Sequence, residues 1–97
     1  MNGVSYHPAV ASEVREFAEY YGRISERLEA RFRTELLKAI ARARDFPERQ
    51  HFDPTGLRRV NLKRFPVHLL FRVIPDGVRV TAVRHDRRDP GYGSGRL

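Results

Sequence analysis

The apolar residues of this chain follow two different periods, and the change from one to the other limits the folds it can adopt. In the first half they recur every three or four positions, which is the spacing of one face of an α-helix. From residue 57 onward apolar and polar residues alternate, as in β-strands with one buried face. The segment between, "DFPERQHFDPTG" at residues 45–56, has two prolines, a glycine and no period. The sequence therefore predicts an α+β fold.

Two helices are predicted in the first half. A short alternating stretch at residues 4–8 is interpreted as a brief strand, and Pro8 suits the first turn of a helix. The apolar positions of the two helices are Val10, Val14, Phe17 and Tyr21, then Leu28, Phe32, Leu36, Ile40 and Ala43. We expect Gly22 to end the first helix and Ser25 to cap the second, which gives an antiparallel hairpin.

Three strands are predicted in the second half, at residues 57–63, 67–74 and 78–84. Phe65-Pro66 and the tight-turn sequence "PDG" at 75–77 separate them, so they should form an antiparallel meander. The face that the helix hairpin covers would carry Val60, Leu62, Val67, Leu69, Phe71, Val73, Val78, Val80 and Ala82. The uncovered face would carry Arg59, Asn61, Lys63, His68, Leu70, Arg72, Arg79, Thr81, Val83 and His85. A half-covered face that is basic with apolar spots is suited to a peptide or a nucleic-acid strand.

The last fourteen residues, "RHDRRDPGYGSGRL", follow the last strand directly. They could bring Arg87, Arg88 and Tyr92 to the rim of the uncovered face. The glycines of this basic tail favour mobility in residues 93–97. The chain as a whole, residues 1–97, is expected to be a single domain.

The charge balance narrows the classes of partner. Nineteen Lys and Arg residues against twelve Asp and Glu give a formal charge of +7, which attracts nucleic acid, anionic lipid or an acidic protein. Cysteine is absent, so no disulfide framework can form. Without a signal peptide or an apolar run of about twenty residues, we expect a cytoplasmic protein with no membrane partner. The histidines lack ligand spacing and no Gly-rich phosphate loop occurs, so we expect no metal and no cofactor.

Three stretches together resemble the RelE/ParE toxin superfamily of bacterial type II toxin–antitoxin systems: "YHPAVASEVREFAEYY", "GLRRVNLKRFPVHLLFRV" and "VTAVRHDRRDPGY". The resemblance implies a short strand, a helix hairpin on one face of a three-stranded meander, and a basic tail. It also implies that the chain is the growth-inhibiting toxin of a module that stabilises plasmids. The C-terminal segment of an antitoxin would neutralise this toxin. RelE-type members cut messenger RNA on the ribosome, whereas ParE-type members poison DNA gyrase.

The positions that match the ribonuclease branch are incomplete in this chain. Arg59 and Lys63 match its basic positions, but Asn61 stands where a lysine is usual and His68 where an arginine is usual. This departure favours the ParE-like branch and a gyrase inhibitor that is not an enzyme. The alternatives are a metal-independent, ribosome-dependent endoribonuclease and a non-toxic, basic nucleic-acid-binding module.

Site residues follow from the resemblance and from the uncovered face. If the chain is a ribonuclease, His68, Arg87 and Tyr92 are the catalytic candidates. The candidates for binding the target or nucleic acid are Arg59, Lys63, Arg72, Arg84, His85 and Arg88. Plainer interpretations are that His68 and His85 hydrogen-bond locally, that Asp86 and Asp89 partly neutralise the arginines, and that Tyr92 packs back on the sheet.

An acidic, aliphatic antitoxin segment is the expected partner. Leu70, Val83 and Arg79 are the candidates for binding it on the uncovered face, and the outer groove of the helix hairpin is a second surface for it. A hetero-oligomer of toxin and antitoxin would result.

Overall fold

The predicted α+β class and helix hairpin are confirmed by the structure, a computed structural model that describes residues 3–97. Residues 1 and 2 of the predicted domain lie outside that range. The elements in chain order are β1 (Gly3–Tyr6), α1 (Val10–Ile24), α2 (Glu26–Asp45), a short 3-10 helix (Pro47–Arg49), β2 (Arg58–Asn61), β3 (Val67–Ile74) and β4 (Gly77–His85). No helix in the described range is long and apolar enough to cross a bilayer.

The helix hairpin turns at a single residue, Ser25. Its backbone N–H donates to the Tyr21 carbonyl at 3.0 Å and its hydroxyl accepts from the Leu28 N–H at 3.0 Å. Serine stabilises a helix start because it satisfies an N–H that has no partner within the helix. The predicted cap is confirmed, but Gly22 does not end α1. It lies inside the helix, where an added Cβ would meet the carboxylate of the flexible Glu29 side chain.

The sheet has four strands in the order β1-β4-β3-β2. The predicted meander is confirmed, since β2–β3 and β3–β4 pair antiparallel. The short N-terminal strand adds a fourth member by pairing parallel with β4, from Gly3 opposite Gly77 to Tyr6 opposite Val80. The sheet is therefore mixed rather than purely antiparallel.

The main core lies between the helix hairpin and one face of the sheet, around a cluster of aromatic rings. Phe65, from the corner between β2 and β3, lies 5.6 Å from Phe32 and 4.8 Å from Tyr21, measured between ring centroids, in edge-to-face contacts. That geometry is preferred for aromatic pairs. The aromatic-Pro corner thus anchors the meander to both helices, and the preceding residue, Arg64, adopts a positive φ of 68°.

A β-bulge in β4 reverses the predicted alternation of that strand. Leu70 pairs with Ala82 and Phe71 with Val80, so Thr81 is an extra residue. Beyond a bulge the two faces of a strand exchange. Val83 consequently belongs to the main core, whereas Ala82 and Arg84 lie on the second face. The predictions that placed Ala82 under the helices, and Val83 and His85 on the uncovered face, are wrong for this reason.

The second face of the sheet is covered, contrary to prediction. His68, Leu70, Ala82 and Arg84 are all less than 5% exposed. Residues 90–96 of the tail and the loop around Asp53 lie over them. Gly93 lies so close to the sheet that a Cβ there would come 2.9 Å from the Ala82 Cβ. The tail is therefore packed against the sheet as a third layer, and the mobility expected for residues 93–97 stays a prediction.

Candidate functional site

The Arg84 guanidinium is the centre of a polar network on the second face. Its Nε donates to His68 Nε2 at 2.8 Å and one terminal nitrogen donates to Asp53 Oδ1 at 3.0 Å. The other terminal nitrogen donates to the carbonyls of Pro90 and Tyr92 at 2.7 and 3.1 Å. Buried charge costs free energy unless it is paired and hydrogen-bonded, and this arrangement satisfies both conditions. Arg84 therefore joins strand, loop and tail.

These contacts determine the protonation state of His68. Its Nε2 accepts from Arg84, so its proton lies on Nδ1, which donates to Asp86 Oδ1 at 2.8 Å. Burial lowers the pKa of His68 below its ordinary value, and the charges of Arg59 and Arg84 add to that effect against the opposing hydrogen bond to Asp86. The imidazole is neutral at neutral pH, and both of its nitrogens are engaged. A proton-transfer role for His68 would require Arg84 or Asp86 to move.

Two carboxylates balance the cations of this network. Burial alone would raise the pKa of Asp53, but hydrogen bonds from Thr55 and the charge and hydrogen bond of Arg84 hold that pKa below its usual value. Arg59 lies 3.6 Å from the Asp53 carboxylate and 3.4 Å from that of Asp86. The plainer interpretation, that His68 hydrogen-bonds locally and Asp86 neutralises nearby arginine charge, agrees with these distances.

Glu13 of α1 attaches the tail to the sheet. It is 6% exposed, and one carboxylate oxygen accepts from the Val83 N–H at 3.0 Å. The other accepts from the Tyr92 hydroxyl and from Arg96, both at 2.7 Å. The Val83 N–H lies on the edge of β4 just beyond the end of β1, where no strand is present to accept it. One carboxylate thus connects a helix, a strand edge and the tail.

The Tyr92 ring lies between two guanidinium groups. Arg88 is 4.1 Å and Arg96 4.9 Å from the ring centroid, which are cation–π distances. The Tyr92 hydroxyl is already bonded to Glu13, so the ring packs back on the protein as in the plainer interpretation. Arg87 and Arg88 remain exposed on the rim.

The predicted site residues divide into separate groups. The network unites Arg59, His68 and Arg84, with Tyr92 and Arg88 beside it. The remaining candidates lie elsewhere: Lys63 beside α2, His85 on the α1 side, Arg72 opposite Arg79, and Leu70 and Val83 buried. Lys63 leaves the predicted face because β2 ends at Asn61. Leu70 and Val83 offer a partner no surface in this conformation.

Three residues that build the site were not identified from the sequence: Glu13, Asp53 and Arg96. Glu13 had a usable signal, because it is three residues after Val10 and four before Phe17, on the buried side of α1. Asp53 had none, since a loop residue has no fixed phase with respect to a strand thirty positions later.

Two open grooves flank the hairpin. One, of about 510 Å³, lies between α1, α2 and the end of β1 and is lined by Tyr6, His7, Pro8, Val10, Ala11, Val14 and Ile40. The other, of about 750 Å³, is lined by α1 residues together with Pro66 and His85. Within residues 3–97 no three His, Asp or Glu side chains come together as a possible metal site.

Comparison with known proteins agrees with this architecture. The family model described as "ParE toxin of type II toxin-antitoxin system, parDE" matches residues 4–90. The solved structure described as "Chromosomal ParDE TA system from P. aeruginosa" is similar with a TM-score of 0.74, covering 88% of this chain and 96% of that chain at 15% sequence identity. At that identity the likeness shows the fold. No match was found among curated protein sequences.

Proposed function

Because this chain belongs to the ParE toxin family of type II toxin–antitoxin systems, we propose that it arrests growth by binding DNA gyrase and that an antitoxin neutralises it. The state of His68 is the observation that favours gyrase over messenger RNA. Metal-independent RNA cleavage needs a group that accepts the 2′-hydroxyl proton and a second that protonates the leaving oxygen. The neutral imidazole has both nitrogens hydrogen-bonded, and the Tyr92 hydroxyl is bonded to Glu13. This arrangement favours inhibition by protein contact.

A supercoiling assay tests the target. Purified toxin should inhibit gyrase or trap cleaved DNA at micromolar concentration, and transcripts in arrested cells should remain intact. Tyr92→Phe is the matched variant, because it removes the hydroxyl while keeping the ring between its two arginines. Inhibition by Tyr92→Phe equal to that of the unchanged protein supports the proposal. Transcripts cut at the ribosome, with the cuts lost in Tyr92→Phe, would instead establish the ribonuclease alternative.

The groove of about 510 Å³ between α1, α2 and the end of β1 is the outer groove of the hairpin, and it supports the proposed antitoxin contact. Its lining is mostly apolar and includes Tyr6, which is 46% exposed. Leu37, three residues before Ile40 on α2, is 66% exposed. Because Leu70 and Val83 are buried, this groove is the better surface for an aliphatic segment. An amphipathic helix laid in such a groove gains affinity from apolar burial, and acidic residues at its edges would complement the charge of +7.

Two single substitutions at exposed positions, with a third as a control, test the antitoxin contact. Ala11→Glu and Leu37→Glu place a carboxylate in or beside the groove without entering the core, so we expect each to weaken antitoxin binding at least tenfold, about 1.4 kcal/mol. Ala30→Glu, at an exposed position of α2 that does not line the groove, should leave the affinity unchanged. Titration of purified toxin with the product of the adjacent open reading frame gives the affinities. Equal affinities for all three variants would place the antitoxin elsewhere.

A further inference from the structure

One side of α2 has a row of cations that the network on the sheet does not use. Arg27, Arg31, Lys38 and Arg42 lie within about 60° of one another around the helix, because their spacings of four, seven and four keep them on one side. Lys63 and Arg64, from the corner between β2 and β3, lie beside this row. Together these six residues are called the α2 ridge.

The ridge frames an open depression of about 430 Å³. Its lining residues are Arg31, Thr34, Glu35, Lys38, Lys63 and Arg64. From Arg27 to Arg42 the ridge runs about 22 Å at 1.5 Å per residue. Arg42 donates to the Asn61 carbonyl at 2.9 Å, which attaches the end of the ridge to β2. Four of the six cations thus lie along one side of α2, and the head group of Arg42 is held in place by its hydrogen bond.

Little on the protein neutralises this line of charge. Among residues 3–97, no ion pair within 4.0 Å involves Arg27, Arg31, Lys63 or Arg64. Glu35 is the carboxylate in the depression, and its Oε2 is 3.8 Å from Lys38 Nζ. By contrast, the cations on the second face are paired with Asp53, Asp86 and Glu13. The ridge is therefore a surface on which most of the cations have no ion pair and can be offered to a partner.

Arg64 adds an observation of a different kind. It adopts a φ of +68°, a region that glycine and asparagine occupy with far less strain than arginine. Its side chain is exposed, so packing does not explain an arginine there. A strained residue with an exposed charge indicates that the charge has a use.

The composition of the ridge distinguishes between polyanions. No aromatic side chain lines the depression, so there is no platform on which unpaired bases could stack. No apolar side chain lines it either, as a membrane surface or a hot-spot protein contact would require. A row of cations without aromatic or apolar anchors is suited to the phosphates of a double helix.

We propose that the α2 ridge binds the phosphate backbone of double-stranded DNA without sequence preference. Arg27, Arg31, Lys63 and Arg64 contact the phosphates directly, and Thr34 donates a hydrogen bond from its hydroxyl. Glu35 weakens the contact at Lys38. This binding does not depend on which target the toxin inhibits, because it needs only the toxin and DNA.

Fluorescence anisotropy with a labelled duplex of about 20 base pairs and arbitrary sequence tests the proposal. A plot of log affinity against log salt between about 50 and 200 mM should have a slope of about −4 if four phosphates are neutralised. Arg31→Gln with Lys63→Gln should lower affinity about tenfold or more and reduce the slope by about 2. Arg15→Gln with Arg33→Gln removes the same charge from exposed positions off the ridge and should change the slope by less than about 1.

Two further variants separate binding from folding. Glu35→Gln should tighten DNA binding severalfold, because it removes the carboxylate of the depression. Arg64→Asn should weaken binding while leaving the melting temperature at or above that of the unchanged protein, since asparagine tolerates a positive φ. Equal losses in the ridge and control pairs would overturn the proposal. So would tighter binding to a single strand than to the duplex, or ridge-dependent binding to phosphatidylserine vesicles but not to DNA.

Discussion

Arg84 makes four hydrogen bonds with its guanidinium, and they reach three parts of the chain: His68 on β3, Asp53 in a loop, and the carbonyls of Pro90 and Tyr92 in the tail. Its neighbour in sequence, His85, lies on the other side of the sheet, in a groove lined by α1. The bulge at Thr81 determines that Arg84, and not His85, points toward the network. The membership of this network is thus determined by one extra residue in a strand.

The neutral state of His68 predicts a pH dependence of stability. Burial lowers the pKa of folded His68, whereas the unfolded chain takes up a proton as the pH falls through about 6.5. His68 therefore makes its full contribution to the free energy of unfolding above that pH, and this contribution is lost as the pH falls below it. We expect the free energy of unfolding, measured with urea, to decrease between about pH 7 and pH 5.

Two histidine variants identify the source of this dependence. His68→Gln can still accept from Arg84 and donate to Asp86 but does not titrate, so the decrease between about pH 7 and pH 5 should become smaller. His51→Gln changes an exposed histidine and should leave the decrease as it was. A decrease of equal size in all three proteins would mean that His68 is not the group responsible.

The sequence predicted several residues of the candidate site, but it did not predict that they are buried or which segments cover them. The alternation of β3 placed His68 on the face away from the helices, and its pairing with Asn61 and Arg84 confirms that placement. Its burial could not be predicted, because the cover is the tail, whose glycines suggested mobility. The helical period places Glu13 on the buried side of α1, but it does not show that Glu13 bonds to Val83 and the tail, and Asp53 lies in a loop that has no period.

At the scale of secondary-structure elements, helical periodicity and Ser25 were enough to predict the hairpin. The end of α1 was misplaced by two residues, because glycine often marks a helix end but here lies inside the last turn of α1. The strands of the meander were predicted well, except that a bulge at Thr81 cannot be distinguished from regular alternation in one sequence. The parallel pairing of β1 with β4 likewise depends on contacts between distant segments.

The substitution Gly22→Ala has two opposing effects on stability: alanine has the higher helix propensity, but its Cβ would displace the Glu29 side chain. Glycine in a helix interior costs about 1 kcal/mol relative to alanine. The added Cβ would meet the Glu29 carboxylate, the far end of a flexible side chain whose exposed pair with Arg33 contributes only about 0.3–0.5 kcal/mol. Gly22→Ala should therefore stabilise the protein by about 0.5 kcal/mol. Urea unfolding measures the change, with Glu29→Gln to report the cost of losing the pair alone. A loss above about 1 kcal/mol would show that Glu29 cannot move aside.

At the scale of the whole molecule, the sheet lies between two unlike covers. The helices cover one face with aromatic and aliphatic packing, and the tail and the loop around Asp53 cover the other with a polar network. The helix cover leaves two different surfaces for partners: the outer groove of the hairpin is mostly apolar, whereas the α2 ridge is cationic. The two surfaces share no lining residue, so an antitoxin in the groove and DNA on the ridge would contact different surfaces of the toxin.

The tail makes this three-layer arrangement testable with two glycines. Gly93 has a φ of +78°, and a Cβ there would lie 2.9 Å from the Ala82 Cβ, whereas Gly95 has open space around it and no positive φ. Alanine in the left-handed region costs about 1–2 kcal/mol, and the contact with a rigid strand adds to that cost. Gly93→Ala should therefore lower the free energy of unfolding by about 1–3 kcal/mol. Gly95→Ala should leave it unchanged or raise it by about 0.5 kcal/mol, because alanine restricts the unfolded chain. Urea unfolding gives the free energies of both variants. If the tail does not pack on Ala82, Gly93→Ala should lower the free energy of unfolding no more than Gly95→Ala does.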